Sequence, residues 1–149
     1  MSVTQRLQQL GITFPTVSTA AAAYAMAVQT GHLIFVSGHI AKRDGRPWVG
    51  KLGQTLNTAD GQQAARAIAI DLMATLQQHC GDLSKIKRIV KVMGLVNSTP
   101  DFTEQHLVIN GCSELLSEIF GSAHARSAFG VAQIPLGACV EIELIAELN

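Results

Sequence analysis

Apolar and polar positions along the chain switch several times between a strand rhythm and a helical one. Thr4 is a candidate cap for a short N-terminal helix that carries Leu7 and Leu10 and stops at Gly11. Pro15 then redirects the chain. Tyr24 to Val28 fits a strand, and Thr30-Gly31 is a turn signal. His32 to Ile40 (HLIFVSGHI) is β-branched and aromatic, which predicts a second strand paired to the first. Residues 43–57 hold Asp44-Gly45, Pro47, Gly50 and Gly53 and read as a loop. From Thr58 to His79, the apolar residues Ala65, Ile68, Ala69, Leu72, Met73 and Leu76 recur every three or four positions. That is one helical stripe, with Thr58 as cap and Gly81 as stop. Ile86 to Val96 reads as a strand with imperfect alternation. Thr99-Pro100 opens a second helix in this reading, because proline is tolerated at the first helical position. Phe102, Ile109, Leu116, Ile119 and Phe120 mark its buried side, and Gly121 ends it. Ser127 to Ile134 is a strand, Pro135-Leu136-Gly137 a turn, and Cys139 to Leu148 a final strand.

The resulting order, β-β-α-β-α-β-β, predicts an α+β fold. It has two helices on one face of a mixed sheet of about four to six strands. A chain of 149 residues fits one domain spanning 1–149. The sheet's other face would need a partner subunit.

Composition sharpens this picture. Lys+Arg and Asp+Glu both total 11, so the formal net charge is zero. That argues against a general nucleic-acid binder and against a polybasic membrane attachment. Charged residues are 15% of the chain and hydrophobic ones 48%, a balance that favours association. A homo-oligomer is expected. Cys80, Cys112 and Cys139 are odd in number and form no Cys-x-x-Cys pair, so free thiols in a reducing, cytoplasmic setting are expected. The histidines form no HExxH, and no metal site is expected. The nine-residue apolar run Ala20–Val28 is too short to span a bilayer, and Met1 to Leu10 does not resemble a signal-peptide core. GxGxxG, GxxxxGK[ST] and GxSxG are absent, so nothing points to a nucleotide cofactor or a serine hydrolase.

Few residues stand out chemically. In the last strand, Val140, Ile142, Leu144, Ala146 and Leu148 share one face, while Glu141, Glu143 and Glu147 share the other. Glu143 and Glu147 read as solvated. Glu141 is set apart by its place beside the Pro135-Leu136-Gly137 turn. Arg126 is the only Arg or Lys after Lys91. It has two readings: an ordinary ion-pair partner, or a planar fork that grips a carboxylate. Gly38, after Ser37, marks either a β-bulge or a close approach to a ligand or another chain. Tyr24, the single tyrosine, reads most simply as a half-buried packing residue. No cysteine has a neighbouring cation that would make it a nucleophile.

Three stretches nonetheless resemble the RidA/YjgF family of enamine/imine deaminases, whose older label is endoribonuclease L-PSP. They are Leu33-Ile34-Phe35-Val36-Ser37-Gly38-His39-Ile40; Lys51-Leu52-Gly53 leading into the Ala-rich helix and on to Gly81-Asp82-Leu83-Ser84-Lys85-Ile86; and Ala125-Arg126-Ser127 through Ile134-Pro135-Leu136-Gly137 to Val140-Glu141-Ile142-Glu143. The likeness runs over nearly the whole chain and is closest to the longer branch, of about 150 residues. It implies a chorismate-mutase-like fold and a homotrimer with clefts between subunits. It implies that Arg126 binds the substrate carboxylate and that Glu141 lies near the attacking water. Tyr24, Ser37, Gly38 and Asn110 would line the cleft. No cofactor is implied, since an imine is already electrophilic. Two positions depart from the family pattern: Ala128 stands where a cysteine is common, and His39 where glutamine follows Ser-Gly.

The implied reaction is hydrolysis of 2-aminoacrylate-type enamines and imines to 2-oxo acids and ammonia. The alternatives are a trimer that binds a small carboxylate without turnover and, last, a ribonuclease. Zero net charge with one Trp, one Tyr and five Phe speaks against an RNA groove with stacking platforms.

Overall fold

A computed structural model describes residues 1–17, 19–20 and 23–149. Residues 21 and 22 of the apolar run Ala20–Val28 lie outside the described set. Among the described residues, three helices, α1 (Val3–Gln9), α2 (Thr58–Cys80) and α3 (Gln105–Phe120), accompany seven strands. The strands are β1 (Ala27–Thr30), β2 (Leu33–Ile40), β3 (Lys42–Arg43), β4 (Arg46–Pro47), β5 (Ile86–Asn97), β6 (Ala125–Val131) and β7 (Val140–Leu148). Five of them form one mixed sheet in the order β1-β2-β7-β5-β6. Among the described strands, only the β5–β6 pair is parallel, because α3 carries the chain back between them. The fold is therefore the expected α+β arrangement.

The helices cover one face. Ile68, Leu72, Met73 and Leu76 from α2 and Val108, Ile109, Cys112 and Leu116 from α3 meet the inward residues of the sheet. Those include Ile34, Val92, Val96, Val140, Ile142 and Leu144. The helices approach each other and the sheet closely enough that the contacts need glycine. A Cβ on Gly111 would collide with the main-chain carbonyl of Gln62 on α2, and one on Gly94 of β5 with Ile109. The other sheet face carries Val28 and Phe35, both substantially exposed, with Met93 and Ile145 beside them.

Several boundaries differ from the sequence expectation, each for a local reason. Thr99-Pro100 does not open α3. The Thr99 hydroxyl donates to Asp101 at 2.7 Å, and the Phe102 N–H bonds the Thr99 carbonyl. That turn delays the helix to Gln105. Asn57, not Thr58, caps α2 in a reciprocal capping box with Asp60. Ser2, not Thr4, caps α1, again with a capping box, to Gln5. The first strand begins at Ala27, so Tyr24 precedes it. Residues 43–57 are not all loop, since Asp44 and Gly45, both at positive φ, close a small β3–β4 hairpin. β6 begins at Ala125, because its parallel pairing with Lys91 already starts there. It ends at Val131, opposite the last residue of β5. Arg126 thus lies inside a strand and not before one. The short N-terminal helix expected ahead of the β-β-α-β-α-β-β order is present as α1, and it docks on the end of α3 through Arg6, whose Nη1 donates to the Ile119 carbonyl at 2.8 Å.

Candidate functional site

Arg126 sits on β6, an edge strand of the sheet. It pairs with the buried Val92, so its side chain takes the helix side. There the guanidinium meets α3. Nη1 donates to Asn110 Oδ1 at 2.7 Å and to Ser113 Oγ at 3.3 Å, and Nη2 donates to the His106 carbonyl at 3.3 Å. Asn110 and Ser113 lie three apart and so share a helix face. All three acceptors are neutral oxygens. No carboxylate pairs with Arg126 among the described residues, so its charge stays uncompensated. Ser113 also bonds His124, whose Nε2 lies 2.9 Å from the hydroxyl. Burial first, then the Arg126 charge, hold the His124 pKa below the usual histidine value.

Glu141 sits on β7 and faces the other way. It pairs with Leu95 on one side and Ile40 on the other. Its carboxylate lies over Gly38, where a Cβ would stand 2.9 Å from Oε2. Of the two sequence readings of Gly38, the structure bears out the β-bulge: the β2–β7 register shifts between Val36 and His39, and the bare backbone there lies against Glu141 of the same chain. Partial burial pushes the Glu141 carboxyl above its ordinary value, and the like charge of Glu143 adds to the push.

Tyr24 and Gly38 line one cleft of about 210 Å³ with His39, Lys42, Asp71 and Leu136. Tyr24 is half-buried, as the sequence reading had it, and stands at the cleft wall. The Ser37 hydroxyl donates to the Ala25 carbonyl at 2.6 Å and fixes the segment before β1. His39, at the family glutamine position, is buried. Its Nδ1 bonds the Ser37 carbonyl at 2.7 Å and its Nε2 bonds Thr75 of α2 at 2.8 Å. Desolvation lowers its pKa, so the ring is held neutral as a strand-to-helix bridge. Ala128, at the family cysteine position, packs partly buried against the core. Cys112 and Cys139 are not poised as nucleophiles: burial pushes Cys112 up to about 12 and Cys139 up to about 11.

The expected site residues thus fall into two groups. Arg126 and Asn110 meet directly. Tyr24, Ser37, Gly38 and Glu141 gather around the β2 bulge. The two groups do not meet within one chain. β6 and β7 flank β5, so Arg126 and Glu141 are two strand spacings apart, roughly 10 Å. They are also offset by three residues along β5, roughly another 10 Å, and point to opposite faces. Sequence reasoning missed Ser113 and His124. The signal was present, since Asn110 and Ser113 are an uncharged polar pair spaced i, i+3 on α3. No group of three or more His, Cys, Asp or Glu side chains among the described residues is placed to share a metal ion. Among the described residues, no helix is long and apolar enough to cross a membrane.

Comparison with known proteins fits this architecture. The family model described as "YjgF/chorismate mutase-like, putative endoribonuclease" matches residues 4–148. Protein TCP17 of Trypanosoma cruzi is 44% identical over 151 residues, covering 99% of this chain and 94% of that protein. The structure of Atu1372 from Agrobacterium tumefaciens is 39% identical, with a TM-score of 0.90 over 99% of this chain and 92% of that one. A Shewanella oneidensis protein, called a "putative endoribonuclease", is 31% identical with a TM-score of 0.94, over 99% and 100% of the two chains. The fold and these matches define an α+β protein with a chorismate-mutase-like sheet. The chain belongs to the YjgF/chorismate-mutase-like family.

Proposed function

We propose that the chain hydrolyses reactive enamines and imines of the 2-aminoacrylate type to 2-oxo acids and ammonia, in clefts shared between copies of a homotrimer. The observation that carries this reading is Arg126. Its guanidinium is held in place by three neutral oxygens and by no carboxylate among the described residues. An arginine oriented in this way and left uncompensated suits an incoming carboxylate. Because Glu141 faces the opposite side of the sheet, the two serve one substrate only if a second copy supplies the other half.

The chemistry follows from those roles. The enamine tautomerises to the imine. Arg126 grips the carboxylate and fixes the imine carbon, which converts a diffusive encounter into a positioned one. Glu141 takes a proton from water as the water oxygen bonds that carbon, and passes it to the imine nitrogen to give the carbinolamine. Glu141 then moves the carbinolamine's hydroxyl proton to the amino nitrogen as the C–N bond breaks, so that ammonia leaves and the carbonyl of the 2-oxo acid forms. A carboxyl with a raised pKa suits a group that both takes and returns a proton.

The test follows ammonia or oxo-acid release from an amino-acid imine generated in situ. The expected result is release above the uncatalysed rate, lost in Arg126→Ala. Wild-type protein at the background rate refutes the deaminase reading. If pyruvate or 2-oxobutyrate still binds, the outcome is a carboxylate-binding protein without turnover. RNA cleavage that tracks the purified protein would favour the endoribonuclease activity after which the family and the Shewanella relative are named.

A further inference from the structure

Leu136 occupies the connection between β6 and β7 in a conformation that leucine disfavours. Its φ is 62° and its ψ 12°, in the left-handed region. The Gly137 N–H donates to the Ile134 carbonyl at 2.9 Å, so Ile134 to Gly137 closes as a four-residue turn. Proline is second in that turn and Leu136 third. A turn with proline second and positive φ third ordinarily takes glycine or asparagine at that third place. Here the glycine comes one residue later, and leucine stands at the strained position. Packing does not compensate for the strain. Leu136 is 72% exposed, more than any other large apolar side chain among the described residues. A strained backbone and an exposed apolar side chain at one position point to a demand other than stability.

The cleft supplies that demand, since Leu136 lines it together with Tyr24, Gly38, His39 and Pro47. Lys42 and Asp71 also line it, and the lysine charge acts on the aspartate. Those opposite charges favour neither an anionic nor a cationic ligand. What the turn adds at the rim is apolar surface.

We propose that Leu136 is a specificity-determining residue, which places apolar surface at the rim of the Tyr24–Gly38 cleft and selects 2-imino acids with an apolar side chain over those with a charged one. The proposal rests on the deaminase reading above and seats the substrate's side chain in this cleft, which Tyr24 and Gly38 line and which Arg126 and Glu141 of the same chain do not.

The experiment compares wild type with Leu136→Gly and Leu136→Asn. Both replacements suit positive φ, and both remove the apolar side chain. Imines generated in situ from norvaline and from glutamate give the ratio of kcat/KM values. That ratio is expected to fall about tenfold in both variants, the scale on which apolar pockets discriminate. The melting temperature is expected to equal or exceed that of the wild type. An unchanged ratio, or earlier melting with equal loss on both substrates, would overturn the proposal. Calorimetric affinities for 2-oxovalerate and 2-oxoglutarate on the same variants separate this idea from the deaminase reading. Absent turnover with an affinity ratio that depends on Leu136 sinks only the deaminase reading. An affinity ratio indifferent to residue 136 overturns the proposal, as does failure of both oxo acids to bind the wild type.

Discussion

Replacing Gly38 with alanine adds one methyl group against the Glu141 carboxylate and nothing else. The added Cβ would lie 2.9 Å from Oε2, 3.1 Å from Cδ and 3.3 Å from Cγ. Restoring ordinary contact requires the carboxylate to retreat by about half an ångström. What moves is the free end of a side chain, so the folded state loses little. Alanine also restricts the unfolded chain, an offset of about 0.4–1 kcal/mol. The net change in stability is expected to stay within about 1 kcal/mol. The rate responds differently. A misplacement of about 1 Å in a reacting group costs about 100-fold, so half of that costs about tenfold, or ~1.4 kcal/mol of barrier. The methyl also removes water from a carboxyl that burial already holds above its ordinary value. The loss should therefore deepen at low pH, where a base with a further raised pKa is protonated. The assay is kcat/KM across about pH 5 to about pH 9, with a thermal melt alongside. Wild-type kcat/KM with an unchanged profile would refute Glu141 as the group that handles water. A loss of more than about 3 kcal/mol of stability would instead refute the inference that the carboxylate can give way.

The remaining predictions address the arginine, the buried histidine and the helix contact. Asn110→Ala removes the 2.7 Å bond to Arg126 and should raise KM about five- to thirtyfold, a loss of ~1–2 kcal/mol, with kcat nearly unchanged; an unmoved KM contradicts a positioning role. Arg126→Lys keeps the charge but loses the planar fork, and should cost at least about tenfold in kcat/KM. His39 has a folded-state pKa depressed by burial, so it contributes stability above the ordinary value of 6.5 that is lost as pH falls through the folded value. Urea midpoints should therefore drop on acidification in the wild type and drop less in His39→Gln, with His124 supplying part of the remaining slope; equal slopes in the two proteins would contradict this. Gly111→Ala drives a methyl into the Gln62 carbonyl on the facing helix and should cost about 2–4 kcal/mol by denaturant melt; a cost under about 1 kcal/mol would show that the helices separate easily.

The legibility of the fold in the sequence followed the strength of each local signal. The stripe from Ala65 to Leu76 and the β-branched run before Ser37 were readable because burial on one side imposes a period. The start of α3 was misread because Pro100 fits a first helical turn and a tight turn equally well. The Thr99–Asp101 hydrogen bond, which no spacing rule contains, decides between them. Thr58 was a reasonable cap, but Asn57 one residue earlier reaches Asp60 reciprocally and wins. Arg126 and Glu141 drew attention as an isolated cation and a carboxylate beside a turn, and the family resemblance chose them. Their separation was not legible, because it depends on strand order. Nothing in the linear chain says that β5 lies between β6 and β7.

That strand order also bears on why the chain carries so little charge. Glu141 lies in a row with Leu95 of β5 and Phe129 of β6 on the face the helices leave open. Val28, Phe35, Met93 and Ile145 extend the apolar surface beside it. A carboxylate in such a row is partly desolvated by its neighbours, which is the largest cause of its raised pKa. If a second copy covers this face, desolvation deepens and the Glu141 pKa rises further on assembly. The group would then bind a proton as subunits associate, and association would weaken as pH rises through the assembled value. Glu141→Gln removes that titration while keeping the side-chain shape. Sedimentation across a pH series should therefore show a Glu141-dependent slope in the wild type that the glutamine variant lacks. Identical slopes in the two proteins would mean that Glu141 keeps its water on assembly, and the shared cleft would then have to lie elsewhere on the sheet.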